Sequence, residues 1–309
     1  MILVKPKFWD KKIGILALLL FPLSLILIFF IFLRKKLLQK KKFDTSIICI
    51  GNIYLGGTGK TPTSILLANE ITRLGKKVTL LRKFYECHRD EHELIKNNFK
   101  NFKLNNNRIE ALKDLDKSEC DVVILDDGLQ DYKIHKNLNI VCFNQNQLIG
   151  NGLVLPAGPL RERLTVLKDI EIVIINGKKN EDFEKKILKI NKNLNIFYSH
   201  YIPININRFR NKKLFALAGI GNPENFFQLI EENHLKIEKK FIYPDHYKFS
   251  RNEILNILRE AENKKAELIM TEKDYYKFKD FNLKDLNFLK VSLEIKEKNK
   301  LLKIIEKIL

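Results

Sequence analysis

Residues 46–62 read SIICIGNIYLGGTGKTP. Ser46–Ile50 is a short apolar run rich in β-branched residues, the composition of a buried strand. The stretch TSILLANEITRLGKK that follows the glycines has the pattern of a helix. Strand, glycine-rich turn and helix in that order make a phosphate-binding P-loop. Gly56, Gly57 and Gly59 let backbone N–H groups close around phosphate oxygens, and the helix N-terminus adds its partial positive charge. Lys60 brings a cation to the β- and γ-phosphates, and the Thr61 hydroxyl can ligate Mg²⁺. The expected nucleotide contacts are therefore Tyr54, Leu55, Gly56, Gly57, Thr58, Gly59, Lys60 and Thr61. Tyr54 stands where the usual loop has its first glycine, while the GGTGKT tail is intact. Partition- and septum-type ATPases carry a further lysine that would fall at position 55; Leu55 argues against such a membrane-recruited switch, the chief alternative reading.

A second strand ends in acids. In CDVVILDDGLQDY, residues 120–132, Val122–Leu125 are apolar and Asp126 and Asp127 follow at the carboxyl end. In a parallel sheet that end faces the P-loop, where a hard divalent cation takes carboxylate oxygens. Asp126 or Asp127 is expected to act with Thr61 on the metal.

Upstream, Ile13–Leu33 runs for 21 residues without a charge. As a helix it would be about 32 Å long, close to the hydrocarbon thickness of a bilayer. Basic residues flank both ends and no small-x-small cleavage site follows, which disfavours a signal peptide. The heavier positive charge follows the segment, so the bulk of the chain is expected on the cytoplasmic face of a membrane. Residues 1–42 hold ten Lys or Arg against one Asp, about half of the net charge of +19. The remaining excess is spread along the chain; no zinc-finger or RNP-type signature accompanies it, and no nucleic-acid partner is expected. Four cysteines show no CxxC pairing, and Cys49, Cys120 and Cys142 lie in or beside apolar runs, as inert core thiols do.

The fold class is α/β: a P-loop NTPase-like parallel sheet, a second smaller α/β domain and an N-terminal membrane helix. The expected divisions are 1–42 for the membrane segment, 43–205 for the P-loop domain and 206–309 for the smaller domain, with a linker near Pro203. KVTLL, VVILD, NIVCF, EIVIIN and NIFYSHY are strands of the first sheet; KLFALAG, IEKKFIY, AELIMT and FLKVSLEI are strands of the second. NPENFFQLIEEN and SRNEILNILREAENK are helices, and KEKNKLLKIIEKIL closes the chain as an amphipathic helix whose apolar stripe packs on the core.

Together the motifs resemble the tetraacyldisaccharide 4'-kinases, the lipid A 4'-kinases of Gram-negative bacteria. The likeness rests on FWDKKIGILALLLFPLSLI, GNIYLGGTGKTP, RDEHEL at 89–94, DDGLQDY, GNGLVLPAGPLRE at 150–162, LAGIGNPENFF at 217–227, YPDHYKFS at 243–250 and MTEKDYYKF at 270–278. It implies transfer of the ATP γ-phosphate to the 4'-hydroxyl of a tetraacyldisaccharide 1-phosphate, giving lipid IVA, with Mg²⁺ as metal, at the cytoplasmic face of the inner membrane. It implies Asp90 as the base for the sugar hydroxyl and His246 as its assistant, with Lys60 at the transferred phosphate. It also implies Gln130 and Arg161 at the nucleotide, and Glu91 beside Thr61, Asp126 and Asp127 as a candidate metal ligand. The expected base and its histidine fall in different domains of this division, which places catalysis in a cleft closed by domain motion. Arg89 replaces the family's glycine before Asp90, the stretch ahead of it is shortened to LRKFYECH, and Asp131 replaces a histidine.

Overall fold

The structure, a computed structural model, describes residues 5–115, 119–283 and 286–309. Seven strands come first in the chain: β1 Ser46–Gly51, β2 Val78–Lys83, β3 Phe102–Asn105, β4 Val122–Asp126, β5 Leu138–Asn144, β6 Ile172–Asn176 and β7 Asn195–Pro203. Five follow: β8 Lys213–Ala218, β9 Ile237–Ile242, β10 Ala266–Thr271, β11 Asn287–Leu289 and β12 Val291–Ile295. The helices are α1 Ile15–Leu37, α2 Lys60–Arg73, α3 Arg89–Asn98, α4 Arg108–Lys113, α5 Glu181–Leu188, α6 Pro223–Glu232, α7 Arg251–Asn263, α8 Glu272–Lys277 and α9 Lys298–Glu306.

Two compact units emerge. The larger holds Lys5–Phe84, Phe99–His200 and Glu294–Leu309; the smaller holds Tyr85–Asn98 and Tyr201–Leu293. The larger sheet has the order β12-β7-β6-β5-β1-β4-β2-β3, and its pairs from β3 to β7 are parallel. β1 lies at the centre because helices cover both faces there: Ile47, Ile48, Cys49 and Ile50 are each at most 1% exposed. The phosphate loop leaves β1, and its neighbour β4 ends in Asp126, so the carboxyl ends of the two strands bring loop and acid together. β3 forms the edge, and its partly exposed FKLN sequence has none of the long apolar character that reveals the central strands.

In the smaller unit a parallel sheet has the order β11-β10-β8-β9. α6 opens with Pro223 in its first turn, where a missing N–H does no harm. α7 opens on a full capping box between Ser250 and Glu253. The apolar faces of these helices cover the sheet, Phe226, Phe227 and Ile230 on one side and Ile254, Ile257 and Ala261 on the other.

The expected division at 205/206 differs from this in two respects. The helix carrying Asp90 belongs to the smaller unit, and β12's end with α9 returns to the larger one. FLKVSLEI is correspondingly two strands: β11 extends the smaller sheet and β12 the larger, with the break at Lys290. Lys290 turns the chain by accepting from the Ile204 N–H and donating to the Asn205 side chain. In α9, Leu301, Leu302 and Ile305 are buried against the larger unit.

α1 is the one described helix long and apolar enough to cross a membrane by length and composition. Most of its surface is bare: Ile15, Leu19 and Phe30 are more than 60% exposed. One stripe is not. Ala17 and Ser24 are buried, and Leu27 and Ile28 pack on the core of the larger unit.

Candidate active site

The phosphate loop of the larger unit begins with two residues fastened to the rest of the fold. The Leu55 N–H donates to the Pro159 carbonyl at 2.9 Å, the Arg161 N–H donates to the Ile53 carbonyl at 2.7 Å, and Tyr54 pairs with Leu160. Leu55 therefore drops out of the expected phosphate donors, because its N–H already has a carbonyl. The Tyr54 ring is fully buried, and its hydroxyl donates to Asp10 at 2.7 Å. The turn proper is Gly56–Gly59. Gly56 has φ +139° and Gly59 φ +87°, conformations that a side chain would strain. Gly59 is the N-cap of α2, no side chain caps that terminus, and no acid stands in the first turn. Uncapped N–H groups followed at once by Lys60 are the features an anion site requires.

Behind the loop, Asp126 is completely buried and fully occupied. It accepts from Ser64 at 2.8 Å and from Thr61 at 3.1 Å, and it forms an ion pair with Arg82. The β2–β4 register sets Arg82 directly opposite Asp126. Arg82 also donates to Thr61 Oγ1 at 3.2 Å. Arg108, at the start of α4, donates to the Asp126 and Asp127 carbonyls at 2.5 and 3.1 Å and faces Asp131 at 3.6 Å. Asp131, the departure from the expected histidine, thus has an ionic partner.

Asp127 stands at the mouth. Its backbone is left-handed, φ +53°, an uncommon state for a residue other than glycine and one that clusters at functional sites. Its carboxylate accepts from Arg161 at 2.9 Å and lies 4.0 Å from the Lys60 ammonium. Gln130 stitches the surrounding loops: its amide donates to the Asn52 carbonyl and to Glu162, and its oxygen accepts from Arg161. One hydroxyl and two carboxylates are a donor set that a hard cation such as Mg²⁺ takes, and Thr61 with Asp127 fits it best. Asp126 is less suited, since Arg82 already neutralises it.

The smaller unit holds a second cluster, built on the first turn of α3. Asp90 and Glu91 are buried there, where the positive end of a helix favours acids. Asp90 Oδ1 lies 3.3 Å from His246 Nδ1 and accepts from the Glu91 N–H at 2.9 Å. Asp90 Oδ2 has no hydrogen-bond partner; the ammonium groups of Lys273 and Lys277 stand 3.7 and 3.9 Å away. Burial alone would raise this carboxyl, but Lys273, the His246 bond and Lys277 outweigh it and hold it at about 2. Lys273 also bonds Glu91 at 2.8 Å and Asp245 at 2.9 Å. Burial opposes its charge, yet the carboxylates of Glu91, Asp245 and Asp90 lift its pKa well above the ordinary lysine value. His246 has φ +57° and stacks on His88 with centroids 4.2 Å apart. Asp90 and His246, expected in separate domains, are thus partners within one unit. Glu91, expected at the metal, is a member of this unit with Lys273 as its ionic partner.

Sequence reasoning did not single out Arg82, Arg108, Glu162, Lys273 or Lys277. An arginine closing an apolar strand, as in TLLR, is a readable signal, because a solvated cation rarely ends a central strand without an acid opposite. Lys273 and Lys277 are four apart on α8 and so share one face.

The sequence profile of the tetraacyldisaccharide-1-P 4'-kinases matches residues 16–309. The chain is 40% identical to the tetraacyldisaccharide 4'-kinase of Pelagibacter ubique over 99% of both chains. It is 33% identical to that of Rickettsia canadensis, over 96% of this chain and 95% of the other. Its fold is similar to the crystal structure of LpxK from Aquifex aeolicus, solved in complex with ATP, with a TM-score of 0.72 at 22% identity over 95% of this chain and 99% of that one. Nothing in these likenesses supports the partition-type switch, and the chain belongs to the tetraacyldisaccharide-1-P 4'-kinase family.

Proposed function

We propose that this kinase moves the γ-phosphate of ATP to the 4'-hydroxyl of a tetraacyldisaccharide 1-phosphate by positioning and charge rather than covalent catalysis. The turn Gly56–Gly59 and the N-terminus of α2 bind the phosphates through backbone N–H groups, and Lys60 follows the transferred group. Before ATP binds, Lys60 and Arg161 are balanced by Asp127; the arriving polyphosphate takes both cations and releases that carboxylate. Thr61 and Asp127 would hold Mg²⁺, which supplies neutralisation of charge on the phosphate oxygens. Arg82 keeps Asp126 neutralised, so that Asp126 orients Thr61.

Asp90 is the proposed acceptor of the hydroxyl proton. The observation that carries this role is an ionised carboxylate with one oxygen tied to His246 and the other without a hydrogen bond. A carboxylate near 2 is a weak base. It suffices when the transition state is loose, because the alcohol then loses its proton late. His246 fixes the orientation of Asp90 and can pass the proton on.

The acceptor carries acyl chains, and α1 gives a reason for it to be met at a bilayer. The stripe through Ala17, Ser24, Leu27 and Ile28 is docked on protein, and the opposite face is bare and apolar. A helix docked along its middle favours lying in one leaflet over a free span, on the cytoplasmic side that its basic flank selects.

The test is mass spectrometry of the lipid after incubation with ATP and the tetraacylated disaccharide 1-phosphate. The expected product has gained one phosphate at the 4'-position. ATP hydrolysis with the lipid left unmodified would return the chain to the class of ATPase switches.

A further inference from the structure

α1 and the residues before it do more than attach the chain to a surface, because they hold both loops that flank the phosphate turn. At the far end of α1, the Lys35 ammonium lies 2.5 Å from the Glu162 carboxylate, which is 2% exposed. Glu162 accepts from Gln130 at 3.0 Å, Gln130 accepts from Arg161 at 3.3 Å, and Arg161 meets Asp127 at 2.9 Å. A continuous polar chain therefore runs from the basic end of the helix to the carboxylate at the nucleotide mouth. At the near end, Asp10 receives the Tyr54 hydroxyl at 2.7 Å and pairs with Lys5, which also sits over the Tyr54 ring. Tyr54 immediately precedes the fastened Leu55 and occupies the position where P-loops have glycine. Between these ends, Ser24 donates to the Val154 carbonyl at 2.8 Å and accepts from the Ala157 N–H at 3.1 Å. Trp9 donates to the Pro156 carbonyl at 3.0 Å. The loop so gripped is the one whose Pro159 and Arg161 pair with the start of the phosphate turn.

We propose that the N-terminal segment is a working part of the nucleotide site, with Lys35 and Asp10 as positioning residues that set the Arg161 and Tyr54 loops for ATP. Lys35 acts through Glu162 and Gln130; Asp10 acts through Tyr54. How α1 is seated on a bilayer then bears on ATP affinity as well as on access to the lipid. This rests on residues 56–61 being the ATP site.

The experiment uses the full chain in detergent micelles, with a fluorescent ATP analogue for affinity and KM measured separately for ATP and for the lipid acceptor. Lys35→Met is expected to weaken ATP by about fivefold, the upper end for an ion pair whose lysine is partly exposed, and to leave the lipid KM in place. Lys35→Arg should restore ATP affinity. Lys36→Met removes the same charge one residue on, from an exposed position, and should leave ATP affinity unchanged. A structural role alone would lower the active fraction, and so the apparent kcat, with both KM values kept; that result overturns the proposal. Equal effects of Lys35→Met and Lys36→Met overturn it as well. If Lys35→Met does not fold, Tyr54→Phe decides: it deletes one hydroxyl, a several-fold loss of ATP affinity is expected, and an unchanged affinity overturns the proposal. Lys60→Ala is measured beside them. If it keeps full ATP affinity, the underlying site reading fails, which separates that failure from one confined to Lys35 and Asp10.

Discussion

In the larger unit, cations wait at a loop without acids: Lys60 and Arg161 face Asp127, and the uncapped end of α2 opens beside them. In the smaller unit the majority is reversed. Asp90, Glu91 and Asp245 crowd around Lys273, and Asp90 is additionally approached by Lys277. In the proposed mechanism the first arrangement is relieved when a polyanion arrives. The second is already satisfied, and its remaining asset is a single carboxylate oxygen without a hydrogen bond. The difference teaches which group needs its ligand to reach its working charge state and which is set in advance by the protein.

The sharpest way to break this comparison is Lys60→Ala. Phosphate transfer should fall to background, because no other cation follows Lys60 into the first turn of α2; appreciable turnover in a radiolabelled ATP assay would show that the larger unit does not depend on its cation. Asp90→Ala should lower kcat by about 10²–10⁴-fold, the usual worth of a positioned base, with ATP affinity intact. If instead ATP affinity collapsed and kcat survived, the division of labour between the clusters would be reversed. Arg82→Met leaves Asp126 buried without its counter-charge and should cost about 3–5 kcal/mol, read as a lower midpoint in urea. The smallest effect sharpens the smaller unit. Lys273→Met removes the strongest attraction holding Asp90 down, and burial then pushes the carboxyl up from about 2. In the wild type the stabilisation from Asp90 is present above the ordinary carboxylate value near 4 and is lost only as pH falls through about 2. In the variant the acid limb of kcat/KM should move to higher pH, with a loss of about tenfold or less at neutral pH. An unmoved limb would detach Lys273 from the base.

The same contrast explains what the sequence made legible. The phosphate loop is local: β1, turn and α2 are consecutive, so one reading of residues 46–62 gives both the fold class and the ligand. Asp126 was equally readable because it closes an apolar strand. The arginine in TLLR could be read as wanting an acid, but which acid could not, since Arg82 meets Asp126 only through the β2–β4 register, which a parallel sheet does not reveal in chain order. Asp90 and His246 are 156 residues apart and stand in short polar stretches of sequence that look like ordinary surface; the family likeness, rather than any periodicity, pointed to them. The same weakness misplaced the boundary. A division drawn along the chain cannot foresee that α3 leaves the larger unit for the smaller and that the chain then returns through β3.

That excursion bears on any attempt to dissect the enzyme. Among the described residues the chain passes between the units four times, at 84/85, 98/99, 200/201 and 293/294. A fragment beginning at 206 would lack the helix that bears Asp90 and would carry, as an orphan tail, α9 with its buried face. Expression of either half alone, or exchange of halves between relatives at a single crossover, should yield insoluble protein; a viable chimera must swap the 85–98 segment together with the distant 201–293 stretch.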